Sequence, residues 1–540
     1  MTAVVLGLRL GRWGVVGFSG LAFFSSLVQT VAFFQLAGHT SAERAAFGKS
    51  MTQLASSLTL ILPPPMRLDT VGGYVEWRSF GGLAIVFAVW ALVSAGGAAR
   101  GDEERGLVEV VLAASLTRFG WIASRITGFA AASFVAAATG GLGLVVGTIN
   151  SDESVSLRGV LEQSLVLAAL ALSCYALTLL VGQLTSARIA TAAAGVLLLS
   201  LFLVNTLSRT FTSLTSVRWL SPFHYYELNH PLAPGAELDV RATAVLLLIA
   251  VLAGGAAAVA FASRDLWSPL LRLPVRSQPT SHEIPRNPVW RIPVLRGLYE
   301  RRLGLLVWSA GIAFLGAVFV SVTKTIIQPL MSIPALTQFF GAFVQGRLYT
   351  SFLGLFWFNT AELLFAAFAI AQVVRWSAED SDGRLEVILS QPHSRAAVVV
   401  ERALVLTLGA AVIATLSGVA VAIASHNQAM DVNSERLAEG SLLLVPFALV
   451  FAAAGSVLAA WNPRAAVGLL GAFAFVSYMI AELGPLFKWP AWLQDFSAFK
   501  LFGMPLSSGI DRTGLLAMIA ITIVGFGASI LLMERRDVGA

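Results

Sequence analysis

The sequence predicts an all-α polytopic membrane protein of about 12 transmembrane helices, organised as two parallel six-helix repeats. Three observations predict it. Of the 540 residues, 57% are hydrophobic and only 12% charged, against about 45–50% and about 25% in ordinary soluble domains. The apolar residues fall in long charge-free blocks, and blocks of about 18 or more read as membrane-spanning helices. The stretch 104–118 recurs at 381–395. A mean hydropathy of +0.78 excludes a soluble multidomain enzyme, and it excludes disorder, which needs low hydrophobicity and high charge.

The spans follow in order. The first, 13–37, comes after Arg9 and Arg12 as a signal sequence would. It is too long for a signal core and no small-x-small cleavage site closes it, so it reads as a retained signal-anchor helix. The second, 81–99, stops at Arg100, and the third, 127–149, starts after Arg125. The fourth and fifth, 163–184 and 189–208, are separated only by a short turn with Arg188. The sixth, 242–263, ends at Arg264 and completes a first half, 1–263. The stretch 264–302 carries eight arginines and six prolines and reads as a cytoplasmic linker. The second half, 303–540, repeats the plan with spans at 303–323, 355–374, 403–425, 441–461, 465–484 and 513–533. Gly140-Gly-Leu-Gly143 in the third span suits close helix packing.

Charge sets the orientation. With the N-terminus inside, the inner segments hold 22 of the 36 basic residues, although the outer loops are longer in total. Lys and Arg collect on the cytoplasmic side, so both termini are expected in the cytoplasm. The net charge of +6 is thereby read as membrane orientation, and no nucleic-acid partner is expected. The bilayer is the first partner.

The internal match is in register. A shift of 277 residues places Gly106 on Gly383, Glu109 on Glu386, Leu112 on Leu389, Arg118 on Arg395 and Arg125 on Arg402. Within each copy, Val108, Val111 and Leu112, or Leu385, Ile388 and Leu389, are spaced to form one apolar stripe on a short helix. Glu104 and Glu109, or Asp382 and Glu386, remain for polar surroundings. So short a helix is not stable alone in water and needs a groove, either at the membrane interface or on a partner. Recurrence on the same face of both halves favours two symmetric partners.

Glu104-Arg-Gly-x-x-Glu109-x-x-Leu112, followed by Thr117-Arg118, resembles the first cytoplasmic loop of type-2 ATP-binding-cassette exporter permeases. The fused twelve-span form is similar to antibiotic exporter permeases of the tetronasin and polyketide type from actinobacteria. The resemblance covers the whole chain in architecture and these two loops in motif. It implies that Glu104, Gly106, Val108, Glu109, Val111, Leu112 and Arg118 form one coupling helix with its support. Asp382, Gly383, Leu385, Glu386, Ile388, Leu389 and Arg395 form the other. Each would dock on one of two copies of a soluble ATPase, which would hold the ATP and magnesium. The chain itself would bind no cofactor and catalyse nothing. The implied cargo is hydrophobic or amphipathic: antibiotics and drugs, or lipids. The sequence departs from the family pattern at Ser115, where a proline is usual, and at Asp382, where an arginine is usual. The family also carries short re-entrant outer helices before the last span of each half. The aromatic, proline-broken segments 209–241 and 485–512 look like these, or like an interfacial aromatic belt.

Other signals carry little. Gly48-Lys49-Ser50 lacks the upstream glycine of a phosphate-binding loop, since position 43 is Glu. Leu416-Ser417-Gly418 lies inside an apolar span and is followed by Val419 and Ala420. The six histidines sit in loops without metal-ligand spacing; His224 and His230 read as a surface turn. Cys174 is the only cysteine, so no intrachain disulfide forms. Glu362 in the eighth span, one turn after Asn359, is a substrate-path candidate that could receive cationic compounds, or a hydrogen-bonding residue between helices. It is also the serious candidate for the alternative reading, a twelve-span transporter coupled to protons or sodium.

Overall fold

The computed structural model describes residues 3–270, 292–330 and 348–536, apart from 39, 58–62, 115, 150, 210–211, 382, 392, 431 and 487–488. Most of the linker, with Pro274, Pro279, Pro285 and Pro288, lies outside the described residues, as do Ser115, Asp382 and Pro392. The described chain is helical without strands, and 12 helices are long and apolar enough to cross a membrane. It divides into two compact units, Met1–Gln278 and Pro279–Ala540.

In the first unit the spans are Gly11–Leu36, Val71–Glu104, Arg118–Thr148, Leu157–Leu184, Ile189–Leu207 and Val240–Ser263. The fourth is the hub and packs against the second, third, fifth and sixth, while the first lies along the third. That last contact depends on glycine. A Cβ on Gly143 would stand 2.2 Å from the Phe23 carbonyl oxygen, and one on Gly147 2.7 Å from the Thr30 side chain. Bare positions let the two backbones approach where lipid offers no hydrophobic drive to helix association.

The second unit has spans Arg302–Ser321, Phe356–Asp380, Arg395–Asn427, Ser434–Trp461, Ala465–Glu482 and Arg512–Arg535. Its tenth span is the hub, touching the eighth, ninth, eleventh and twelfth, and the seventh lies along the ninth. The packing plan is that of the first unit.

Helix ends depart from the apolar blocks where capping and packing extend them. The third and ninth spans start at Arg118 and Arg395 because Thr117 and Ser394 cap them, accepting from Gly120 N and Ala397 N. The second span begins at Val71 and takes up an extra residue in a π turn at Glu76–Phe80; the eighth has the equivalent π turn at Gly354–Phe358. A helix at Ser41–Ser57, between the first and second spans, starts from a reciprocal cap, Thr40 N to Glu43 Oε2 at 2.9 Å and Glu43 N to Thr40 Oγ1 at 3.2 Å.

Before each last span the chain forms a short helix, Pro222–Glu227 or Ala498–Phe502, wedged against the last three spans of its own unit. Ser221, Phe223 and Tyr226 are buried, as are Ser497, Phe499 and Phe502. Trp219 and Leu220, and likewise Trp492 and Phe496, stay exposed. Each segment thus combines a packed short helix with exposed aromatic residues; Phe487 and Lys488 lie outside the described residues.

Candidate functional site: paired loops and a carboxylate-lined cavity

Each repeated loop is a helix hung from a left-handed glycine. Gly106 has φ +70° and precedes Leu107–Ala113; Gly383 has φ +72° and precedes Arg384–Leu389. An L side chain there would meet its own carbonyl oxygen, which explains the matched glycines. Val108 and Leu385 are the anchors, each 1% exposed. Val108 packs with Trp121, Ile122 and Phe261, and Leu385 with Val398, Val399 and Met533. Val111 and Leu112 complete the stripe against the first cluster, and Leu389 against the second, but Ile388 is exposed. The second loop therefore seats on two of its three apolar positions.

Beneath the helices lies a polar scaffold built twice from equivalent residues. Asp102 pairs with Arg125, and Glu379 with Arg402 at 2.7 Å. Glu103 pairs with Arg264 at 2.7 Å, and Asp380 with Arg536 at 2.6 Å. Arg118 donates to the Arg264 carbonyl at 2.7 Å and Arg395 to the Arg536 carbonyl at 2.6 Å. Arg118 and Arg395 thus satisfy the open carbonyls at the end of the last span in their own unit. Each loop is tied in this way to the ends of three spans at once.

The first unit adds to this frame. Arg100 donates to the Gly182 and Thr185 carbonyls at 2.8 Å each and reaches Glu103 at 3.2 Å. Gln183 accepts from Arg264 at 2.8 Å. Trp267, with φ +71°, donates from its backbone to Glu103 and from its indole to Glu109 at 2.8 Å. The chain assigned from sequence to the linker therefore goes on packing with the first unit as far as Leu270, whose N donates to the Gln183 carbonyl at 3.2 Å.

Glu104, Glu109 and Val110 face outward on the first loop, and Glu386 and Val387 on the second. Val110 is 67% exposed and Val387 65%. The sequence stripe gave no reason to single out this apolar pair. Each loop presents a carboxylate next to an uncovered valine.

On the opposite side of the second unit is a cavity of 450 Å³ lined by Asn359, Glu362, Tyr478, Glu482, Phe499 and Met504, among others. The sequence candidates Asn359 and Glu362 both reach it. Asn359 Nδ2 donates to Glu482 Oε1 at 3.1 Å, bridging the eighth and eleventh spans. The interhelical hydrogen bond is thus made by Asn359. Glu362 is 7% exposed, and no donor among the described residues reaches it. Its counterpart in the first unit is Ile85.

The first unit instead buries polar groups that the apolar-block reading passed over. Glu76 pairs with His230 at 2.7 Å and accepts from Leu232 N at 2.9 Å. Tyr226 donates to the Phe80 carbonyl at 2.9 Å and takes a donor from Gln163 at 3.0 Å. His224 is buried, so the expected surface turn is a packed one. Burial lowers its imidazole, and Arg218 adds to the shift. Burial also raises the Glu227 carboxyl, against the pull of its partner Arg209. Among the described residues no three His, Cys, Asp or Glu side chains gather to hold a metal ion.

The family model described as "Multidrug efflux system permease Rv1217c, C-terminal domain" matches residues 67–262 and 297–532. The multidrug efflux system permease protein Rv1217c of Mycobacterium tuberculosis (strain ATCC 25618 / H37Rv) is 27% identical over 508 residues, which cover 90% of this chain and 86% of that protein.

Proposed function

Because the chain belongs to the Rv1217c family of multidrug efflux permeases, we propose that it is the membrane subunit of a type-2 ATP-binding-cassette exporter, driven by a separate ATPase. The observation that carries this reading is the doubled loop. Two outward carboxylates, Glu109 and Glu386, sit beside two uncovered valines on matched scaffolds. An exposed apolar residue with an acidic neighbour, held on a rigid support, suits a groove with basic edges on a partner. Two copies of the ATPase would take one loop each and would hold ATP and magnesium.

The scaffold suggests how force would pass. A push on the first loop reaches the second and third spans through Asp102 and Arg125, and the sixth through Glu103 and Arg264. The partner's closure on ATP would move these spans together, and hydrolysis would release them. The loops and both termini would face the cytoplasm of a bacterium across its inner membrane, in keeping with 22 of 36 basic residues on that side. Cargo would be hydrophobic or amphipathic compounds, drugs and antibiotics among them, or lipids.

Charge reversal at both sites, Glu109→Lys with Glu386→Lys, should abolish co-purification of the ATPase and drug efflux together. Wild-type efflux with an intact complex in that double variant would defeat the coupling assignment. One observation favours a second reading, coupling to protons or sodium: the carboxylate of Glu362 meets no donor among the described residues. Efflux that collapses under a protonophore while ATP is held constant would decide for it.

A further inference from the structure

We propose that the cavity in the second unit is a binding subsite for amphipathic organic cations, with Glu362 as the counter-ion. The inference rests on reading the chain as a permease for amphipathic compounds, and it is independent of how transport is powered. Its volume, 450 Å³, lies within the range of about 300–1,000 Å³ typical of small-molecule sites. Two carboxylates line it, Glu362 and Glu482. Glu482 is held by Asn359 at 3.1 Å, whereas Glu362 is 7% exposed and no donor among the described residues reaches it.

Lys500 is the one basic residue on the lining among the described residues, and its ammonium is engaged by Asp495 at 2.7 Å. Among those residues the cavity therefore has unmatched negative charge. A carboxylate kept in an apolar setting is costly unless a cation or a proton meets it. Aromatic faces complete the site. The Tyr478 and Phe499 rings meet edge to face with centroids 5.4 Å apart, and aromatic faces attract cations whose charge is spread over an organic body. A small hydrated metal ion would gain nothing from those rings, and a neutral amphipath nothing from Glu362. A lipophilic cation uses both. The first unit has Ile85 where Glu362 stands and, on the offset of 276 that pairs Arg188 with Arg464, Thr206 where Glu482 stands, so the subsite is confined to one half.

The test is equilibrium dialysis of the purified full chain in nanodiscs, without ATPase, against tetraphenylphosphonium and the neutral triphenylphosphine oxide. Glu362→Gln should weaken tetraphenylphosphonium at least about tenfold, as losing one desolvated charge pair would. The phosphine oxide should be unchanged, and Glu362→Asp should recover part of the cation affinity. Unchanged cation binding in E362Q, or equal loss of both probes, would overturn the assignment. Should E362Q not purify, wild-type chain labelled with a hydrophobic carbodiimide gives the answer by mass spectrometry. Saturating tetraphenylphosphonium should protect Glu362 and triphenylphosphine oxide should not; labelling unaffected by the cation would overturn the assignment equally. Cation binding here leaves the ATPase question to co-purification, so the two readings stand or fall separately.

Discussion

The two loops share a frame and differ in what is laid over it. In both, an acidic pair on the end of a span meets two arginines, one of which stands at the end of the unit's last helix. Around the first, Arg100 and Gln183 add donors and acceptors, and Trp267 folds across to Glu109. At the equivalent positions the second has Ser377 and Ala460, and the backbone carbonyl of Ala459 meets Arg536 at 3.4 Å. The central ion pair follows suit: Glu103 and Arg264 are 3% and 2% exposed, Asp380 and Arg536 11% and 26%. The difference teaches that the shared frame suffices to present a loop. The additional contacts fix how firmly it is held.

Breaking the central pairs should give the largest effect. Removing one partner of a fully buried pair leaves an uncompensated charge and costs about 3–5 kcal/mol. Glu103→Ala should therefore lose most of the thermal stability of the first unit. Asp380→Ala, in a wetter pair, should cost about 1–2 kcal/mol. Fluorescence-detected size exclusion after heating would measure both. Equal losses would mean that burial does not separate the two loops.

Much of this architecture is legible in the sequence, and the remainder is hidden for identifiable reasons. Long apolar blocks mark all twelve spans, since nothing else satisfies the backbone in hydrocarbon. The 277-residue shift and the paired glycines mark both loop helices. The scaffold is harder to see. Asp102 and Glu379, or Glu103 and Asp380, swap acid for acid between the halves, and their arginine partners lie up to 161 residues away. No local pattern links them. Glu76 was missed because its helix begins before the apolar block and reaches it through a π turn. Ile388 satisfies the same spacing as Val111 but is exposed, because spacing fixes a face and not the depth of the groove it meets. Thr40-x-x-Glu43 is a readable cap that lies outside every apolar block.

Glycine substitution sharpens the comparison by testing where the loops should agree. Gly106→Ala and Gly383→Ala each force a Cβ into the left-handed region at about 1–2 kcal/mol. A Cβ would find nothing within 4 Å at either site, so backbone conformation alone sets the cost and both halves should lose the same amount. Thermal midpoints of the two single variants measure it. A loss at one site only would show that the turns, though alike in φ, are not alike in the strain they carry.

The smallest effect concerns the latch itself. Trp267 is 56% exposed, and its indole hydrogen bond to Glu109 is worth about 0.5–1.5 kcal/mol at most. Trp267→Phe keeps the ring and removes the donor, so the thermal midpoint should scarcely move. What should change is the freedom of Glu109. In the native chain this carboxylate is held while no described residue holds Glu386, so a soluble carbodiimide with an amine probe should label Glu386 faster. After Trp267→Phe the two rates should converge. Rates already equal in the native chain would mean that the tryptophan lies beside the first loop without restraining it. The two loops would then differ in foundation but not in the face they offer a partner.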